Sequence, residues 1–157
     1  MTGTAGGRAA AGTIQALQAA LAGEHAAVYG YGVAGAYLTG SLRAAATADW
    51  LAHQVARDRL EAMLRSLGAE PAAAAVAYQL PAGVHGAAGA AALAVVLEDR
   101  MATAYLGLVV LGSTAIREYG AQQVQACALR AAAWRGTTVA FPGMTAAALA
   151  APRQQQS

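Results

Sequence analysis

The chain has 157 residues, enough for one domain with a substantial core and too few for two ordinary domains. Hydrophobic residues, chiefly alanine, make up 57% of it, charged residues make up 11%, and ten arginines without any lysine leave a net charge of +2. Such sparse charge argues against nucleic-acid binding. The single cysteine, Cys127, excludes an intramolecular disulfide and a cysteine-rich zinc site.

The composition predicts an all-α protein, because alanine favours helices and strand-forming residues are sparse. Four helices are expected, at about residues 13–39, 45–67, 87–111 and 113–135. Thr13 is the expected N-cap of the first helix, and Gly68 and Gly136 end the second and fourth. Three glycines within the first helix predict the close approach of another helix: Gly30, Gly32 and Gly35.

The connections between these helices follow a short, long, short pattern. Residues 68–86 form the long one, about nineteen residues where bundle connections usually have about two to eight. A connection of that length can carry the chain along the whole bundle to start a parallel helix. The pattern predicts a ferritin-like four-helix bundle with a long crossover between helices 2 and 3. The expected domain covers residues 13–143, between a flexible N-terminus (1–12) and a flexible C-terminal tail (144–157).

Two features bear on location. The N-terminal residues lack the charged-then-apolar order of a secretory signal, which predicts a cytoplasmic protein. The uncharged run at residues 101–116 is short for a membrane span, so no membrane association is expected.

Glu24 occupies a position on the first helix where a core residue is expected. It belongs to a stripe that includes Leu21 and Tyr31, at the helical spacing of an inward face. Glu98 lies about ten residues into the third helix, and each glutamate is followed seven residues later by a tyrosine, Tyr31 or Tyr105. This weak repeat predicts a duplicated helical hairpin in which the two glutamates face each other.

A buried carboxylate needs a partner, because an unpaired one is costly. One hypothesis takes Glu24, His53 and Glu98 as ligands of iron, manganese or zinc. In that case Tyr31 and Tyr105 would donate hydrogen bonds to the ligands.

The hypothesis that we favour is a polar core without a metal. Arg57 lies one turn after His53 on the second helix, and Arg130 lies on the fourth. Either guanidinium could neutralise Glu24 or Glu98 as a buried, hydrogen-bonded pair.

Several stretches together resemble one known family: ALQAALAGEHAAVYGYGVAGAYL, WLAHQVARDRLEAMLRSLGAEP, AYQLP, LEDRMATAYL and AAAWRGTTVAFPG. The chain resembles the alanine-rich, functionally uncharacterised ferritin-like proteins of actinobacteria over about residues 14–143. The resemblance implies a ferritin-like bundle that is often a homodimer and has no established activity.

The wider ferritin-like group carries di-iron sites built from two glutamates and two Glu-x-x-His motifs, and the resemblance allows a comparison with them. Glu24 and Glu98 match the two glutamates, and His53 matches one histidine. Trp50 stands where the glutamate of that motif belongs. On the fourth helix, Glu118 has no histidine three residues later. The chain therefore lacks about half of the ligands that a two-metal centre needs.

We therefore expect a bundle without a competent di-iron centre or a cofactor, more a structural or binding protein than an enzyme. The alternative is a metalloprotein with one iron, manganese or zinc ion at Glu24, His53 and Glu98, acting in redox or oxidative-stress chemistry. A second alternative is a small-molecule carrier with a cleft between its helices. The sequence does not identify a small-molecule or protein partner.

Overall fold

The computed structural model describes residues 3–81 and 83–144. Over these ranges the chain contains no strand and forms four helices: α1 (Gly3–Ala36), α2 (Gly40–Ser66), α3 (Gly86–Leu111) and α4 (Thr114–Arg135). The prediction of an all-α four-helix bundle is confirmed. A search of the described helices finds none that is both long and apolar enough to span a membrane.

Two predicted helix starts are wrong. α1 begins at Gly3, so residues 3–12 belong to the helix, and Thr13 lies inside it rather than at an N-cap. The Thr13 hydroxyl instead lies within hydrogen-bond distance of the carbonyls of Ala9 and of Leu111 on α3. α2 begins at Gly40, which leaves only residues 37–39 between the first two helices. The predicted C-terminal tail lies, from residue 145 onwards, outside the described residues.

Contacts along the helices establish the direction of each. Residue 13 of α1 contacts residue 111 of α3, while residue 31 contacts residue 98, so α1 and α3 are antiparallel. α1 and α2 are also antiparallel, since residue 24 contacts residue 53 and residue 31 contacts residue 49. α2 therefore runs parallel to α3, as the long connection predicts.

The connection between α2 and α3 follows α1 along the bundle. Gln18 bonds through its side-chain amide to the backbone of residues 70 and 72. His25 Nε2 lies 3.1 Å from the carbonyl oxygen of Ala72, and the ring of Tyr29 lies 5.5 Å from that of Tyr78. Successive contacts on α1 thus guide the chain from the end of α2 to the start of α3.

Close approach of α1 and α3 requires glycine at one of the three predicted positions. A Cβ on Gly30 would lie 2.7 Å from the Leu97 side chain, so a larger residue would force Leu97 to shift. Gly32 and Gly35 have no such neighbour within 4 Å, and the prediction is wrong for them.

The core consists of two apolar clusters with a polar layer between them. The first cluster includes Leu17, Leu21, Leu60, Leu64, Met101 and Leu108. The second cluster includes Tyr31, Leu38, Leu93 and Leu97. The boundary between the two clusters falls around His53 on α2 and at Glu98 on α3, and about one turn after Glu24 on α1. Hydrogen bonds from His53 to both glutamates place the three side chains at one level of the bundle.

Candidate functional site

Each helix contributes one charged or ionisable side chain to the polar layer: Glu24 from α1, His53 from α2, Glu98 from α3 and Arg130 from α4. Glu24, His53 and Glu98 are 1%, 0% and 0% exposed, and the side chain of Arg130 is 18% exposed. The structure therefore brings the three predicted ligand residues together with one of the two predicted arginines.

His53 lies between the two glutamates. Its Nδ1 is 2.6 Å from Glu24 Oε2, and its Nε2 is 3.0 Å from Glu98 Oε1. Burial by itself would lower the pKa of His53, but the hydrogen bonds and charges of both glutamates outweigh burial and raise that pKa to about 9. His53 is therefore an imidazolium ion at neutral pH and donates to both carboxylates.

Each of the two tyrosines of the repeat donates a hydrogen bond to the glutamate of the other half. Tyr31 of α1 donates to Glu98 Oε1 on α3 at 2.7 Å, whereas Tyr105 of α3 donates to Glu24 Oε1 on α1. Burial, assisted by the nearby carboxylates, raises the pKa of both phenols, so they remain protonated donors. Each glutamate is thus held by the histidine and by the tyrosine of the opposite half.

Arg130 completes the charge balance. Its Nε donates to Glu98 Oε1 at 2.8 Å. Burial opposes ionisation of Glu98, but hydrogen bonds from His53 and Arg130 prevail and lower its pKa. Two carboxylates, one imidazolium and one guanidinium give the polar layer no net charge, which is the condition for burying ions at modest cost.

Arg57 is not part of the layer, and its predicted role is wrong. Its Nε and Nη2 donate to Asp58 Oδ1 at 2.8 and 2.7 Å, on the outside of α2. Arg57 lies on nearly the same face of α2 as His53, but its long side chain is 28% exposed and extends to solvent rather than into the core.

The duplicated hairpin extends to α2 and α4. Adding 74 to the residue numbers 24, 31 and 53 gives 98, 105 and 127, so Cys127 corresponds to His53. Cys127 is fully buried, and Arg130 Nη2 approaches its Sγ at 3.3 Å. Burial raises the pKa of the thiol, so it stays protonated. The second half of the repeat therefore has no imidazole where a symmetric two-metal site would require one.

Residues 16–146 match the family described as a domain of unknown function, DUF4439. The chain belongs to this family. The DUF4439 match includes most or all of every helix, which confirms the expectation of an uncharacterised family that covers nearly the whole chain.

Among solved structures, this DUF4439 protein is similar to a conserved hypothetical protein, rv2844, from Mycobacterium tuberculosis. The TM-score is 0.78 and the sequence identity is 33%, over 80% of this chain and 96% of that chain. A search of curated proteins gives no significant match.

The polar layer of the DUF4439 bundle does not fit a metal ion in this arrangement. A metal requires a free lone pair on an imidazole nitrogen, but both ring nitrogens of His53 face carboxylate oxygens. Arg130 adds a fixed positive charge beside Glu98. No cluster of three or more His, Cys, Asp or Glu residues suited to a metal ion occurs in the described parts of the chain.

Two residues that our sequence reasoning missed support the layer from one side. Trp134 Nε1 donates to Asp49 Oδ2 at 2.8 Å, and the Tyr31 hydroxyl lies 3.3 Å from the same oxygen. Burial raises the pKa of Asp49. Spacing could have identified both residues, because Asp49 lies one turn before His53 and Trp134 one turn after Arg130.

Proposed function

We propose that this protein is a ferritin-like bundle without a metal centre, which acts by binding rather than by catalysis. The observation that supports this function best is the position of His53 between Glu24 and Glu98, with both ring nitrogens occupied. An ion pair network thereby fills the space in which a ferritin-like protein would hold metal.

The helix arrangement supports the ferritin-like assignment. Such bundles place two carboxylates on two helices and a Glu-x-x-His motif on each of the other two, all at one level of the core. This chain presents Glu24, His53, Glu98 and Arg130 at that level, one from each helix. The guanidinium of Arg130 then supplies positive charge that a metal would otherwise provide.

Accessibility argues against catalysis in the layer. Glu24, His53 and Glu98 are almost completely buried, so a substrate could not reach them without opening the bundle. A general acid or base must lie within hydrogen-bond reach of the reacting group. The buried layer is therefore assigned a structural role, and binding is assigned to the outer surface of the helices.

Metal analysis tests this proposal. Protein purified without chelator should contain only substoichiometric iron, manganese and zinc, and adding each ion should leave the Tm unchanged. Binding of any of them at one ion per chain, abolished by His53→Ala but retained in the exposed control His85→Ala, would overturn the proposal.

A mononuclear metalloprotein with iron, manganese or zinc is the second candidate. One observation favours it: Glu98 Oε2 is buried and has no hydrogen-bond partner in the described residues. Binding of a metal there would have to displace the proton of His53, so metal affinity would increase steeply as the pH rises. Affinity that does not depend on pH would eliminate this candidate.

The predicted homodimer and the cytoplasmic location stay predictions. Sedimentation velocity of the purified chain measures the first, and fractionation of cells that express the full-length protein measures the second.

A further inference from the structure

A cleft of about 530 Å³ separates α2 from α4 on the side of the bundle away from the close contact of α1 with α3. Its volume lies within the range of about 300–1,000 Å³ that is typical of small-molecule sites. Leu51 and Val55 form part of one wall and are 51% and 69% exposed. Gln122 and Gln123 contribute amide groups from the opposite wall.

Arg59 gives the cleft a positive charge, whereas the charge of Arg130 is already balanced by Glu98. Arg59 and Arg130 line the cleft, and no acidic residue does. The guanidinium of Arg59 lies 5.1 Å from the centre of the Tyr119 ring and makes no ion pair with a described residue. A cation over an aromatic ring keeps its charge and its hydrogen-bond donors available.

Arg130 also lines this cleft. Its Nε and Nη2 bond to Glu98 and Cys127, and the observed hydrogen bonds of the described residues leave its Nη1 unused. The bonds to Glu98 and Cys127 hold this guanidinium in place, and its side chain is 18% exposed.

We propose that the α2–α4 cleft binds an amphipathic organic anion, with its carboxylate or phosphate on Arg59 and Arg130 and its apolar chain on Leu51 and Val55. This inference rests on the proposed function, because it requires the polar layer to remain fixed and metal-free. A second copy of the chain fits the cleft less well, since a two-fold contact would bring the arginines of both copies to one patch.

Isothermal titration calorimetry with octanoate, octyl phosphate and octanol tests the proposal. At least one of the two anions should bind at least about tenfold more tightly than octanol, because only an anion can pair with Arg59 and Arg130. Comparing the two anions distinguishes a carboxylate from a phosphate ligand. If octanol binds as tightly as both anions, or if none of the three binds, the proposal is overturned.

Two variants locate the site. Arg59→Gln should weaken binding of the tighter anion by about fivefold to tenfold, whereas Arg100→Gln, an exposed arginine on α3, should change it less than about twofold. Ala52→Trp should block the cleft without altering the buried core. Equal losses in Arg59→Gln and Arg100→Gln would overturn the proposal as non-specific charge binding.

The alternative occupant and the proposed function are tested on the same samples. If Ala52→Trp changes the sedimentation coefficient and leaves anion binding intact, the cleft is a contact between copies and the proposal is overturned. Finding one bound metal ion per chain would overturn the proposed metal-free function, even if octanoate binds. Failure of a metal-free, folded protein to bind either anion overturns the cleft proposal alone.

Discussion

Raising the pH should destabilise this bundle by deprotonating the His53 imidazolium, which donates one hydrogen bond to Glu24 and one to Glu98. A neutral imidazole has one N–H, so it can donate to only one of the two carboxylates. The other carboxylate would then face a nitrogen lone pair at the centre of the core, and two buried negative charges would be balanced only by Arg130.

The size of the effect follows from the pKa. The folded protein raises the pKa of His53 from 6.5 to about 9. Because the folded pKa lies above the unfolded one, the stabilisation is complete below about pH 6.5 and is lost as the pH rises through about 9. At about 1.4 kcal/mol per pKa unit, the loss is of the order of 3 kcal/mol. This is a large part of a total stability of about 5–15 kcal/mol.

Urea unfolding at about pH 6 and about pH 9.5 measures this loss directly. A fall in Tm of about 6–12 °C over the same range provides a second measurement. NMR titration of the His53 ring should give a midpoint near 9, well above that of a free histidine. His85→Gln serves as the control, since His85 is exposed and its replacement should leave the pH dependence unchanged.

Two results would refute the reasoning. If the unfolding free energy is constant or increases between about pH 6 and 9.5, His53 does not carry a stabilising proton. If its ring titrates at or below the ordinary value, the two glutamates do not both accept hydrogen bonds from it. Glu24→Gln adds a further test, because loss of that carboxylate should lower the pKa of His53.

Two further substitutions have matched controls. Gly120→Ala should reduce the unfolding free energy by about 1–3 kcal/mol, because a Cβ would lie 2.9 Å from Leu108 Cβ and 3.1 Å from a backbone oxygen of α3. Its control, Gly32→Ala, should increase the unfolding free energy by about 0.5–1 kcal/mol, because a Cβ there would have no neighbour within 4 Å. Arg130→Gln should cost about 3 kcal/mol by weakening a buried ion pair, whereas Arg135→Gln, whose partner is about half exposed, should cost less than about 1 kcal/mol. Urea unfolding measures all four, and equal costs within either pair would contradict the assignment of that contact.

The sequence predicted the last two helices closely because residues that stop helices mark their ends. Gly136 has a φ of 78° and caps α4, as expected of glycine at a helix C-terminus. The start of α1 was missed for the opposite reason. Residues 3–12 are rich in alanine and glycine and contain no proline, so nothing in them signals where a helix should begin.

The sequence predicted which residues form the candidate site but not which hydrogen bonds they make. Helical spacing placed Glu24 on the core side, and the seven-residue interval to a tyrosine pointed to Glu98 as its counterpart. The spacing could not show that each tyrosine bonds to the glutamate of the opposite half. That depends on how α1 and α3 cross, which involves contacts between residues far apart in the chain.

The sequence by itself determined the helical class, the long connection and the inward position of Glu24, because composition and periodicity act locally along the chain, and the repeat pointed to Glu98 as the counterpart of Glu24. Only the tertiary structure decided what neutralises them. Arg57 and Arg130 are equally plausible partners by spacing, but a long side chain reaches solvent or the core depending on the position of the neighbouring helix. Packing turned Arg57 outward to Asp58, brought Arg130 to Glu98, and left His53 to bridge both glutamates.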